Sequence, residues 1–123
     1  MRKVLTLIIG LLAATHAARA DMLSGDDIRR HFAGARIVGV NDLESPYTIW
    51  FSTRGTLKGM LGTHNQFDDR GRWWVKGNRL CMHWELWLMG KPTCYDVALE
   101  GARVTRMDAN SRTVIRSTLV HGD

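Results

Sequence analysis

The sequence predicts a mainly β domain, in which a short N-terminal helix precedes a seven- to eight-stranded antiparallel meander that closes into a small barrel or sandwich. Three observations carry this. β-rich runs recur at roughly ten-residue spacing after residue 35, and clusters of Gly, Asn and Asp punctuate them. No stretch has the alternation of strand and long helix that a parallel sheet needs, and no Gly-rich phosphate motif is present.

The first twenty residues read as an address rather than as fold. Met1-Arg2-Lys3 is a positive start, Val4 to Ala14 is an apolar run, and Ala18-Arg19-Ala20 places small residues at a cleavage site. This is the layout of a secretory signal peptide, with Asp21 as the first mature residue. The apolar run is shorter than the roughly 20 residues needed to cross a bilayer. No Cys follows it, so a lipid anchor at that point has no support. The expected organisation is therefore 1–20 as signal peptide and 21–123 as a single disulfide-stapled β domain. Its location is periplasmic or secreted.

Residues Leu23 to Phe32 form the one helical pattern. Ser24 is its N-cap, and Asp27 three residues on completes a capping box. Asp26 and Asp27 sit where the helix dipole favours acid, and Arg29, Arg30 and His31 where it favours base. Leu23, Ile28 and Phe32 make one apolar stripe, and Gly34 stops the helix. The strands then follow in order: Arg36 to Val40, Tyr47 to Ser52, Thr56 to Leu61, Arg72 to Lys76, Arg79 to Trp84, Thr93 to Leu99, Arg103 to Met107 and Thr113 to Leu119. Thr63 to Gly71 reads as a polar loop, and Gly77-Asn78 as a hairpin turn.

Export makes Cys81 and Cys94 a disulfide, since an even pair in a small exported domain oxidises. Placing them opposite each other fixes a register. Arg79 then faces Asp96 on the cysteine face, and Leu80 faces Tyr95 on the other, which Met82, Trp84, Val97 and Leu99 continue. A bridge closing a loop of about 14 residues contributes roughly 3 kcal/mol in the chain-entropy model.

The formal charge is +5, from 17 Lys and Arg against 12 Asp and Glu. Arg2, Lys3 and Arg19 belong to the leader, so the domain itself is near balance. That excludes a dedicated nucleic-acid binder, which needs clustered cations. A hydrophobic content of 45% with five Trp excludes disorder. No metal-ligand spacing, cofactor motif or catalytic constellation appears. His31 reads as a solvated helix-end residue, His83 as a strand residue, His64 as part of a turn-forming loop with Asp68 and Asp69, and His121 as tail.

Two features carry the functional reading. Trp50, Trp73, Trp74 and Trp84 either supply core mass or line a barrel mouth, with Trp73 and Trp74 pointing to opposite faces. Leu86-Trp87-Leu88-Met89 forms the tip of the disulfide hairpin, where polar residues are usual. An apolar tip means burial under another part of the domain, or contact with a partner protein or a membrane surface. The leading reading is a non-enzymatic binding or inhibitor-like module of the periplasm. The alternative is a calycin-like barrel that holds a small apolar ligand among its tryptophans.

The chain also resembles a loose group of short exported alpha-proteobacterial proteins. The resemblance rests on Leu23-Ser24-Gly25-Asp26-Asp27-Ile28, on Trp50-Phe51 with Gly55, on Trp73-Trp74-Val75-Lys76-Gly77-Asn78-Arg79-Leu80-Cys81, and on Cys94-Tyr95-Asp96-Val97. It implies a small exported β domain and no particular activity. A weaker similarity, of fold alone, is to periplasmic protease inhibitors, which are disulfide-closed β-barrels with tryptophans.

Overall fold

The computed structural model describes residues 21–122, and the leader expected at 1–20 lies outside them. Nine strands and one helix follow in chain order: β1 (Asp21–Met22), α1 (Gly25–Phe32), β2 (Arg36–Val40), β3 (Pro46–Phe51), β4 (Thr56–Leu61), β5 (Phe67–Lys76), β6 (Arg79–Trp84), β7 (Thr93–Glu100), β8 (Arg103–Asp108) and β9 (Val114–Val120). From β2 onward each strand pairs antiparallel with the next, and β9 returns to β2. The result is an eight-stranded up-and-down barrel, which leaves no open edge among those strands. β1 was not expected. It pairs with the end of β7 beyond the reach of β6, at Asp21–Leu99 and Met22–Ala98.

The helix forms where its local signals place it. The Ser24 hydroxyl accepts from the Asp27 N–H at 3.2 Å, and Gly34 adopts a left-handed φ of 80° just past the end. Its apolar stripe plugs one end of the barrel, with Ile28 and Phe32 fully buried. Phe32 meets Phe51 edge-on at 5.1 Å, and Phe51 meets Trp73 in the same way at 5.7 Å. The Gly25 N–H donates to Asn78 Oδ1 at 2.9 Å, and a Cβ there would lie 2.3 Å from the Gly77 oxygen. The helix start is thus pinned against the β5–β6 turn, and only glycine fits.

Cys81 and Cys94 are bonded, in the register expected from their pairing. Arg79 Nε reaches Asp96 Oδ1 at 3.2 Å on the outer wall, and Leu80 and Tyr95 point inward and are buried. The inward residues pack the interior with Ile37, Ile49, Leu57, Trp73, Leu80, Met82, Trp84, Tyr95, Val97, Val104 and Leu119. Gly39 faces the Tyr47 phenol, whose hydroxyl lies 2.5 Å from Ser117 Oγ.

One boundary differs in a way that matters. The segment expected as a polar loop to Gly71 becomes strand from Phe67, pairing with β4 from Leu61–Phe67 to Thr56–Arg72. Backbone pairing overrides the polar composition because the outward positions, Asp68 and Arg70, lie in solvent.

Candidate contact end of the barrel

The barrel has two unlike ends. At the helix end the connections are tight. The opposite end carries the connections at 41–45, 62–66, 85–92 and 109–113. The longest joins β6 to β7 and holds Leu86-Trp87-Leu88-Met89.

Asp69 builds this tip. It lies on the inward face of β5 and is 5% exposed. Its Oδ2 accepts from the Leu86 N–H at 2.9 Å and from the Trp87 N–H at 2.8 Å, and its Oδ1 accepts from Arg70 N–H at 2.8 Å. Burial pushes the carboxyl pKa up, but the three backbone donors outweigh it and hold the group below its ordinary value. Asp69 is therefore a charged clamp at neutral pH.

Trp87 folds back over the mouth. Its ring lies 4.6 Å from that of Trp84, above Gly59, where a Cβ would come within 2.2 Å of Trp87 Cζ3. With Trp87 turned in, its neighbours face water: Leu86 is 74% exposed, Leu88 53% and Met89 83%. The two alternatives for the tip thus divide by residue, Trp87 packing inward and the other three pointing out. Leu88 and Met89 hold φ of 54° and 56°, a left-handed conformation that costs a side-chain-bearing residue about 1–2 kcal/mol. His83 donates from Nε2 to the Gly90 carbonyl at 2.7 Å and ties down the tip's far side.

The same end concentrates other irregular features. Val40, Leu43, Phe67 and Val114 are exposed there. Glu44, Asn65 and Arg112 are left-handed as well, so among the described residues all five left-handed non-glycine positions sit in this end's connections, beside the left-handed Gly62 and Gly90. At the helix end Gly34, Gly55, Gly77 and Gly101 meet the same requirement at no steric cost. The charges are also uneven: Asp42, Glu44, Asp68, Glu85 and Asp108 surround Lys91 and Arg112. Asp108 accepts from the Asn110 and Ser111 N–H groups, which lower its pKa against the opposing effect of burial.

The four tryptophans do not line a common cavity. Trp73 and Trp84 point inward and are buried, whereas Trp50 and Trp74 lie half exposed on the outer wall. Arg106 is the buried cation of the interior. Its guanidinium lies 5.1 Å from the Tyr95 ring centroid, and Nη1 donates to Met82 Sδ at 3.4 Å. The histidines do not converge: His31 stands near His121 at 6.5 Å, while His64 and His83 are exposed on separate segments. Among the described residues no group of three or more His, Cys, Asp or Glu could hold a metal, and no helix is long and apolar enough to cross a membrane.

Sequence reasoning found the tip but missed its support. Asp69 was hidden in a polar run, and the only local hint that this run is strand was the aromatic Phe67 within it. No family model, curated protein or solved structure matches the chain.

Proposed function

We propose that the protein is a non-enzymatic contact module of an oxidising, extracytoplasmic compartment, which docks another protein through the loop-bearing end of its barrel. Leu86, Leu88 and Met89 are the residues that insert. The observation that carries this reading is the coincidence of exposed apolar side chains and left-handed side-chain-bearing backbone at one end. Strain of this kind persists where the surroundings hold it in place, and it clusters at binding sites. The Asp69 clamp and the Trp87–Trp84 packing hold the tip before any partner arrives, which lowers the entropy lost on binding.

Two competing occupants fare less well. A small apolar ligand needs interior space, and the inward face is filled by side chains from the helix plug to Trp87. An anionic membrane surface would meet Asp42, Glu44, Asp68 and Asp108 against Lys91 and Arg112, with Glu85 and Arg70 side by side just below. The favoured partner has an apolar pocket with a basic rim. Export by the 1–20 leader belongs to the same reading, and N-terminal sequencing of the exported protein should begin at Asp21.

The test replaces Leu86→Ser, Leu88→Gly and Met89→Gly together. Glycine relieves the left-handed strain, so the melting temperature should stay level or rise. Capture of a partner from periplasmic extract should be lost at the same time. Capture that survives the triple change removes the tip from the interface, and tip-dependent pelleting with phosphatidylglycerol vesicles would move the reading to a membrane.

A further inference from the structure

A second surface, on the outer wall below the tip, has the chemistry of a ligand site. β4, β5 and β6 form an open groove lined by Thr56, Lys58, Arg70, Arg72, His83 and Glu85, among others. Lys58 stands directly opposite Arg70 across the β4–β5 ladder, and Arg72 opposite His83 across β5–β6. Like charges placed opposite each other weaken a sheet. Among the described residues, ion pairs form at Arg29–Asp26, Arg30–Asp27 and Arg79–Asp96, and none involves Lys58, Arg70 or Arg72. Glu85 is the one acid lining the groove.

Tryptophans stand on two sides of these cations. Trp50 lies opposite Lys58 on β3, with the ammonium 5.6 Å from its ring centroid. Trp74 follows Arg70 and Arg72 on the same outward face of β5 and is 39% exposed. Strands are spaced about 4.8 Å apart, so the row Trp50, Lys58, Arg70 covers roughly 10 Å along the curved wall. Indole rings offer broad apolar faces, and a pyranose ring offers a matching C–H face. The cations beside them suit charged groups repeated along a chain.

We infer that this face of the wall binds an anionic polysaccharide, with Lys58, Arg70 and Arg72 of the groove on its sulfate, phosphate or carboxylate groups and Trp50 and Trp74, which flank the groove without lining it, against its sugar rings. The Cys81–Cys94 bond favours a glycan over a nucleic acid, because disulfides persist where cell-surface glycans, rather than nucleic acids, are the common polyanions. The groove borders the mouth through His83 and Glu85 but does not include Leu86, Leu88 or Met89, so this inference does not require the docking reading.

The probe is heparin, titrated against the disulfide-bonded protein at several salt concentrations. The affinity should fall with salt, and Arg70→Gln with Arg72→Gln should weaken binding at least tenfold and flatten the log–log salt slope by about one unit per cation removed. Arg112→Gln, at the mouth, should leave binding unchanged. The melting temperature of the double variant should equal or exceed that of the wild type, because like-charge opposition is relieved. Absence of heparin binding at low salt, equal binding by the double variant, or tighter binding of single-stranded DNA than of heparin would each overturn the inference.

Discussion

Asp69→Ala tests how the tip is built. The change strips the acceptor from three partly buried N–H groups, those of Leu86, Trp87 and Arg70, held at 2.9, 2.8 and 2.8 Å. Hydrogen bonds to a charged acceptor contribute about 1.5–3 kcal/mol each. The freed N–H groups regain some water as the tip moves, so the expected loss is about 2–4 kcal/mol in total. For a domain of roughly 100 residues that lowers the melting temperature by about 10–20 °C. Asp69→Asn should lose less, since one acceptor oxygen remains. The pH dependence has a definite sign. The backbone donors outweigh burial and hold the folded-state pKa below the ordinary carboxylate value. Ionised Asp69 therefore contributes stability that is fully present above about pH 4 and is lost as pH falls through the folded value. The stability gap between wild type and Asp69→Ala should narrow in that acid window. Thermal melts from pH 7 to 2, with hydrogen exchange at the Leu86 and Trp87 amides, measure both effects. A variant within about 0.5 kcal/mol of wild type, with those amides still protected, would refute the clamp.

Replacing Cys81 and Cys94 by Ser should cost about 3 kcal/mol through loop entropy, read as a lower denaturation midpoint that a reductant reproduces in the wild type. An unchanged midpoint would show that the strand pairs carry the register alone. Gly59→Ala puts a methyl group where Trp87 Cζ3 is 2.2 Å away, so the ring must leave the mouth. The expected readouts are red-shifted tryptophan emission and a loss of about 2–3 kcal/mol, short of a fully buried Trp truncation; unshifted emission would remove Trp87 from its place over Gly59.

The barrel was legible because several local rules agreed on it. Ser24, Gly34 and the Leu23–Ile28–Phe32 stripe each mark the helix independently, and all three appear in the fold. The cysteine pair then converted composition into geometry. With Cys81 opposite Cys94, charge pairing at Arg79–Asp96 and apolar pairing at Leu80–Tyr95 fall into place together, and a slip of one residue would lose both. Closure was less legible. It depends on β9 meeting β2 across more than eighty residues of chain, a contact that no local pattern encodes. The short β1 strand escaped for a related reason: two residues have no periodicity to read, and only the free edge at the end of β7 recruits them.

The tip was legible as an apolar hairpin end, but its backbone conformation was not, for a different physical reason. Composition marks a turn when glycine or asparagine takes the left-handed position, as Gly55, Gly77 and Gly101 do near the helix end. At the mouth Gly62, Asn65 and Gly90 do the same, but Leu88 and Met89 also take that position, and nothing in the apolar run 86–89 marks it. Asp69 was hidden in the same way, as one acid in a polar stretch whose inward direction only the β4 pairing reveals. Local propensity and final conformation therefore agree at the helix end and at Gly62, Asn65 and Gly90 of the mouth, and conflict at Leu88 and Met89. A sequence selected for stability alone would place glycine at 88 and 89 and polar side chains beside them. Leucine and methionine are worse choices for the fold and better ones for an interface, since glycine offers no apolar surface to a partner. Conflict of this kind is expected where binding rather than stability sets the residue. Its restriction to the end that also exposes Leu43, Phe67 and Leu86 is what makes that end, rather than the tryptophans inside, the place to look for a partner.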